Sequence, residues 1–143
     1  MLRDELVGMW KLISAEFHWA NGSTADLYGP AAEGLIIYGP QGEMAVQIMR
    51  ANRPLFASGD FREGSADEAR AAVAGYMAYF GRYEVDEAQR LVTHHIRGSV
   101  FPNWVGQDLT RHVTLESSRV TLRTTPMAIG SQRAVGVLVW ERL

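Results

Sequence analysis

The sequence predicts a mainly β protein in which about eight antiparallel strands close into a barrel, accompanied by one amphipathic helix. Three observations lead to this fold class. Most segments between turns alternate apolar and polar residues with a period of two, as strands do. Most of these segments follow one another through short turns, which is typical of an antiparallel meander, and closing the meander removes its exposed edges. Only one segment has helical spacing. We therefore expect residues 1–143 to form a single domain.

The first half of the chain is predicted to contain three strands. Residues 1–6 form a polar lead-in with one short helical turn. Alternation predicts a long strand at Val7–Ala20, and the Asn21-Gly22 pair that follows is a strong turn signal. Residues 27–33 are predicted to form an irregular loop. The strands Gly34–Tyr38 and Glu43–Met49 flank a Gly-Pro-Gln-Gly turn, so they are predicted to pair as a hairpin.

A helix is predicted to begin after Ser65. Ser65 and Glu68 match a capping box, in which each side chain binds a free backbone N–H at the helix start. Apolar residues then recur at spacings of three and four, as on one helix face, at Ala69, Val73, Tyr76, Met77 and Phe80. This spacing predicts a helix that reaches Phe80, with a face of Tyr76, Tyr79 and Phe80 available to cover an open end of the barrel.

Five further strands are predicted after this helix. Asp86-Glu87-Ala88-Gln89 and Glu116-Ser117-Ser118 are among the turns that separate them. The predicted strands are Arg82–Asp86, Leu91–Ser99, Asp108–Leu115, Val120–Thr124 and Ala134–Glu141.

Composition excludes several classes of function. The chain has 14 Lys and Arg against 16 Asp and Glu, with a net charge of −2, and it has no basic stripe, so nucleic-acid binding is not expected. There are no cysteines, which excludes disulfides, thiolate catalysis and thiolate metal sites. No apolar run approaches the length of a membrane span, and acidic residues occupy the place of a signal-peptide core, so the cytoplasm is the expected location. The sequence is compatible with a homodimer.

The segment from Arg90 to Leu115 is the strongest candidate for a binding site. Its two predicted strands carry five cationic or titratable side chains, namely His94, His95, Arg97, Arg111 and His112. Neighbouring strand residues point to opposite faces, so two inward sets are open. An inward set of Thr93, His95 and Arg97 with Arg111 would favour an anionic ligand. An inward set of His94 with His112 would favour proton transfer or metal ligation.

The candidate site extends beyond these two strands. Asn103 and Trp104 lie in the connection between the strands. Trp104 could cover a barrel mouth or equally plug a gap between strands, and Asn103 could bind a ligand carbonyl. Four more residues are candidates for the cavity wall, because Tyr and Met suit an apolar cavity that needs few hydrogen bonds. These wall candidates are Tyr38, Gln47, Met49 and Tyr83.

Several segments of the chain resemble the lipocalin-like domain family of bacteria and fungi. Gly8-Met9-Trp10 is similar to the Gly-x-Trp signature of lipocalins, and FGRYEVDE and THHIRGSVFPNWVG are specific to the lipocalin-like group. The resemblance covers nearly the whole chain and implies a small barrel with an internal cavity. It also implies that Trp10 closes one end of the barrel, with Arg142 packed across it as a cation–π lid.

The resemblance indicates which residues of the first strand point into the barrel. If Trp10 points inward, regular alternation also turns Leu12, Ser14, Glu16 and His18 inward. A bulge partway along the strand would reverse that order. Glu16 then becomes a candidate general base, together with His94 and His95.

Besides an interaction-only protein that dimerises through exposed strands, the sequence is compatible with three functions. The first is binding of a small, mostly apolar molecule, with or without a negative charge, inside the barrel. The second is a cofactor-independent isomerase, cyclase or dehydratase in which a His with Tyr or Glu moves a proton. The third, haem or metal binding, has the weakest support, because the His spacing matches no known metal motif. We therefore predict a small-molecule ligand and neither a metal nor a cofactor.

Overall fold

The computed structural model describes residues 1–143 as a closed barrel. The elements are α1 (Leu2–Leu6), β1 (Gly8–Trp19), β2 (Thr24–Asp26), β3 (Glu33–Tyr38), β4 (Glu43–Met49), α2 (Ala66–Ala74), β5 (Tyr76–Asp86), β6 (Leu91–Ser99), a 3₁₀ turn (Pro102–Trp104), β7 (Asp108–Glu116), β8 (Arg119–Thr124), β9 (Met127–Ile129) and β10 (Gln132–Arg142). Eight antiparallel strands form the barrel in the order β1-β3-β4-β5-β6-β7-β8-β10, and β10 pairs with β1 to close it. Two short strands, β2 and β9, extend the ladder beside β1 and β10. The predicted fold class is confirmed.

One end of the barrel is closed by Trp10 and Arg142. Trp10 is completely buried, and its indole N–H donates to the carbonyl of Leu6 at 2.9 Å. The Arg142 guanidinium lies 4.1 Å from the centre of the Trp10 ring. It also donates to the carbonyls of Val7, at 3.0 Å, and Glu5. The expected cation–π lid is therefore present, and it joins the first and last barrel strands to α1.

Strand β1 contains a bulge that reverses its inward face. Leu12 pairs with Trp140, whereas Ser14 pairs with Val139, so Ile13 is the extra residue. After the bulge Ala15 is buried and Phe17 lines the interior. The inward placement expected for Ser14, Glu16 and His18 is therefore corrected. Glu16 lies on the outer face, 3.3 Å from His18 Nε2.

The α2 helix has the predicted start but a different end. Ser65 and Glu68 form the capping box, with hydrogen bonds of 3.1 and 2.8 Å. The helix ends at Ala74, and the chain from Tyr76 onward pairs with β4 as a strand. Strand pairing with β4 thus determines the structure of this segment, although its local apolar spacing predicted a longer helix. Neither helix of the protein is long and apolar enough to cross a membrane.

Substituting Gly8 with alanine is expected to destabilise the closed end. Gly8 has φ +135, and a Cβ there would lie 2.8 Å from the Arg142 guanidinium. The backbone strain should lower the free energy of unfolding by about 1–3 kcal/mol. Urea unfolding would measure this loss. Gly59→Ala is the control, because no atom lies within 4 Å of its Cβ position. Equal stabilities of the two variants would contradict the assigned role of Gly8.

Candidate functional site

The barrel encloses a cavity of about 420 Å³. Strands from the whole circumference contribute to its wall, and 14 of its 19 lining residues are hydrophobic, so the wall favours an apolar ligand. The lining residues are Phe17, Leu27, Tyr28, Ile36, Val46, Ile48, Met77, Tyr79, His94, Trp104, Leu109, Arg111, Leu122, Thr124, Thr125, Met127, Gly136, Leu138 and Trp140.

His94 is the centre of a buried hydrogen-bonded group on one wall of the cavity. Its Nε2 lies 2.7 Å from the Tyr38 hydroxyl, and its Nδ1 lies 2.7 Å from the Tyr79 hydroxyl. The three side chains come from β6, β3 and β5, and each is more than nine-tenths buried. Both imidazole nitrogens are therefore occupied by phenols. We refer to Tyr38, His94 and Tyr79 as the Tyr–His–Tyr relay.

Burial keeps the relay uncharged. It lowers the pKa of His94 to about 3, and the nearby Arg111 cation acts in the same direction. Burial also raises the pKa of Tyr79 to about 12, against the opposing effect of Arg111. The pKa of Tyr38 lies well above its ordinary value, mainly because that phenol is also buried. At neutral pH the relay consists of a neutral imidazole and two neutral phenols.

Arg111 brings a positive charge to the cavity wall. It extends from β7, where it donates to the carbonyl of Thr110 at 3.1 Å and lies close enough to the Tyr79 phenol to interact with it. None of the ion pairs in the structure involves Arg111. The lining therefore has a cation without a protein counter-charge, and an oxygen-bearing ligand would complement it.

The structure combines residues from both of the predicted inward sets. His94 pairs with Leu109 across β6 and β7, so even-numbered residues of β6 share a face with odd-numbered residues of β7. His94 and Arg111 consequently line the cavity together. Neither predicted set contained this pair.

His95, Arg97 and His112 point away from the cavity, which corrects their predicted placement. Arg97 and His112 are exposed. His95 lies 2.8 Å from Asp108 and 3.3 Å from Glu84. The hydrogen bond to Asp108 is the main cause of the raised pKa of His95. These residues alternate with the buried His94 and Val113, so strand geometry excludes them from the interior.

The other predicted site residues are divided between the interior and the surface. Trp104 lines the cavity, whereas Asn103 beside it is exposed. Tyr38 belongs to the relay, and Tyr83 is buried with its hydroxyl bound to the Gly39 carbonyl at 2.8 Å.

Gln47 and Met49 are corrected to the outer face of β4. There they line a shallow groove with Tyr76, whose hydroxyl donates to the Gln47 side chain. The inward residues of β4 are Met44, Val46 and Ile48.

Five side chains of the cavity that carry a polar group were not predicted from the sequence, namely Tyr28, Tyr79, Thr124, Thr125 and Trp140. Tyr79 was assigned to a helix face, although Met77, Tyr79 and Tyr83 also fit a strand period of two. Trp140 was considered only as part of the last strand. Its indole N–H is buried and has no hydrogen-bond partner. The structure contains no group of three or more His, Asp or Glu side chains that could hold a metal ion.

The chain is similar to a protein family and to individual proteins of known sequence or structure. The sequence model of a family described as the lipocalin-like domain matches residues 7–143. The 4'-hydroxy-3'-methoxypropiophenone carrier protein ppsC of Aspergillus oryzae (strain ATCC 42149 / RIB 40) is 30% identical over 107 residues, and the match covers 70% of this chain and 96% of that protein. The wild-type fluorescent protein UnaG matches 98% of each chain at 17% identity, with a TM-score of 0.43. A point mutant of UnaG matches 100% of this chain and 99% of its own, at 16% identity and a TM-score of 0.44. On the family match and the ppsC relationship, the chain belongs to the lipocalin-like domain family.

Proposed function

We propose that the protein binds a small, mostly apolar molecule inside its barrel. The observation that carries this proposal is the cavity of about 420 Å³ with its largely hydrophobic lining. Ligand pockets typically have volumes of roughly 300–1,000 Å³ and combine apolar walls with a few placed polar groups. Here those polar groups are the relay and Arg111. Burial of the apolar part of the ligand would supply most of the affinity.

The related carrier protein supports a particular class of ligand. Its name describes a carrier of 4'-hydroxy-3'-methoxypropiophenone, which is an aromatic ketone with a phenol group. A molecule of that kind suits an apolar cavity that contains a cation, because a phenol or phenolate oxygen can accept from a guanidinium. We therefore extend the proposal to aromatic molecules with an acidic or ketone oxygen.

Proton-transfer catalysis has less support from the same geometry. A general base works best when its pKa lies near the working pH. His94 has a pKa of about 3, so its imidazole is a weak base. The pKa of Tyr79 near 12 makes that phenol a weak acid. The isomerase, cyclase or dehydratase alternative remains the second hypothesis.

Isothermal titration calorimetry with two probes would test the proposal. We expect 4'-hydroxy-3'-methoxypropiophenone and 4-propylbenzoate each to bind at one site. Arg111→Gln should weaken binding of the benzoate by roughly 10–100-fold, because hydrogen bonds to charged groups contribute about 1.5–3 kcal/mol. Arg97→Gln is the matched control, since Arg97 is exposed on the outside of β6, and we expect it to leave both affinities unchanged.

Two outcomes would contradict different parts of this proposal. Absence of saturable heat with both probes would overturn ligand binding in the barrel. Equal losses of benzoate affinity in Arg111→Gln and Arg97→Gln would overturn the assignment of Arg111 to the ligand while leaving the cavity as the binding site.

A further inference from the structure

The relay has more hydrogen-bond donors than internal acceptors. A neutral imidazole carries one N–H, and each phenol carries one O–H, so Tyr38, His94 and Tyr79 hold three protons. Only two hydrogen bonds connect them, and neither phenol donates to any other group of the protein. One phenol donates to the unprotonated nitrogen of His94, and the other accepts from the N–H. The accepting phenol therefore keeps a proton with no protein acceptor.

The location of the cavity decides which phenol keeps the free proton. Tyr38 is 1% exposed and is not among the residues that line the cavity. A free O–H on Tyr38 would therefore be buried without a partner, which is unfavourable. Tyr79 lines the cavity, so its O–H can donate to whatever occupies that space. The favoured arrangement is Tyr38 O–H donating to Nε2 and the Nδ1–H of His94 donating to Tyr79.

A second donor without a partner lies across the barrel. The indole N–H of Trp140 is buried, lines the same cavity and has no hydrogen-bond partner. Trp140 is on β10 and Tyr79 is on β5, and these two strands are four positions apart in the circle of eight. Strands four apart in such a circle lie on opposite sides. Two residues that carry an unpaired donor, Tyr79 and Trp140, thus stand on opposite walls of the cavity.

We infer that the ligand carries oxygen acceptors at two separate positions, one for Tyr79 and Arg111 and one for the Trp140 indole. This inference rests on the proposed function and specifies its ligand class: an aromatic molecule with an acidic oxygen at one end and a carbonyl oxygen at the other. The acidic oxygen faces Arg111, because that side of the cavity holds the cation. His94 acts as a positioning residue, since its Nδ1–H directs the Tyr79 proton into the cavity.

The tautomer of His94 can be measured without any ligand. In protein labelled with ¹⁵N-histidine, long-range proton–nitrogen correlation spectra distinguish a protonated ring nitrogen from an unprotonated one. We expect Nδ1 of His94 to be protonated and Nε2 to be unprotonated at pH 7. The His94→Gln variant identifies which signals belong to this residue. A protonated Nε2 with an unprotonated Nδ1 would overturn the assigned direction of the relay.

Four compounds with one carbon skeleton would test the two acceptor positions. These are 4'-hydroxypropiophenone, 4-propylphenol, propiophenone and propylbenzene, which carry both oxygens, the phenol only, the ketone only and neither. Each oxygen should improve affinity by about tenfold, the equivalent of one hydrogen bond to an otherwise unpaired buried group. Tyr79→Phe should reduce the gain from the phenol oxygen, because only the contact with Arg111 is left, and Trp140→Phe should remove the gain from the ketone oxygen.

Propylbenzene separates this inference from the proposed function. Its affinity reports apolar burial alone, so a loss of propylbenzene affinity in Tyr79→Phe or Trp140→Phe measures structural damage. That loss is subtracted from the affinity changes that the same variant shows for the other three compounds. If all four compounds bind the wild type with equal affinity, the cavity binds ligands but the two-acceptor inference is overturned. If none of the four binds, both the proposed function and the inference fail, and the tautomer measurement still tests the relay.

Discussion

Replacing Trp10 with alanine is expected to lower the free energy of unfolding by about 3–5 kcal/mol, the usual cost of truncating a large buried aromatic side chain. Trp10 has no exposed surface. The substitution removes a hydrogen bond to the Leu6 carbonyl and the ring beneath the Arg142 guanidinium. It would therefore weaken the contact that joins α1, β1 and β10 at the closed end of the barrel.

Urea unfolding followed by circular dichroism would measure this loss. Trp19→Ala is the matched control, because it makes the same chemical change in the same strand at a half-buried position. We expect the control to lose clearly less stability than Trp10→Ala. Comparable losses in the two variants would contradict the central role that we assign to the closed end.

The stability of the protein is expected to fall as the pH drops from 6.5 toward 3, through His94. The pKa of this residue is about 3 in the folded protein, against 6.5 for an unperturbed histidine. Between these two pH values the unfolded chain binds a proton at this position that the folded chain does not. Added acid therefore lowers the free energy of unfolding. The full difference corresponds to about 5 kcal/mol, at 1.36 kcal/mol for each pKa unit.

The neighbouring histidine provides a control of opposite sign. Hydrogen bonds to Asp108 and Glu84 raise the pKa of His95, so its contribution is complete below pH 6.5 and is lost as the pH rises through the folded value. Stability measured against pH should become flatter between 6.5 and 3 in His94→Gln, and flatter above 6.5 in His95→Gln. An unchanged acid slope in His94→Gln would contradict a buried neutral imidazole.

Much of the barrel could be predicted because strand alternation is a local signal. The bounds of β4 and β6 agree with the pattern of apolar residues, and so does the capping box at the start of α2. The sequence also pointed to the strands that contribute His94 and Arg111. Individual strands thus follow from the spacing of their own residues.

The inward faces could not be predicted, because they depend on contacts between strands. The bulge at Ile13 moves Glu16 outward, and nothing in the local sequence marks it. The pairing of His94 with Leu109 brings Arg111 to the same face, and a single sequence does not contain that register. Tyr79 had helical spacing, but pairing with β4 placed it in a strand.

The α2 helix buries none of its side chains. The helix lies in the connection between β4 and β5, which leaves β4 at Met49 and enters β5 at Tyr76, and these two residues are paired. At the opposite end of the β3–β4 hairpin, Tyr38 pairs with Gly8 beside the closed end of the barrel. The helix therefore lies toward the rim farther from the Trp10–Arg142 contact. Since little packing protects its backbone hydrogen bonds, detachment of this segment costs far less free energy than global unfolding. Its amides should exchange with deuterium well before those of the barrel strands. The rate at which a molecule enters or leaves the interior is then not limited by the rate at which the barrel unfolds.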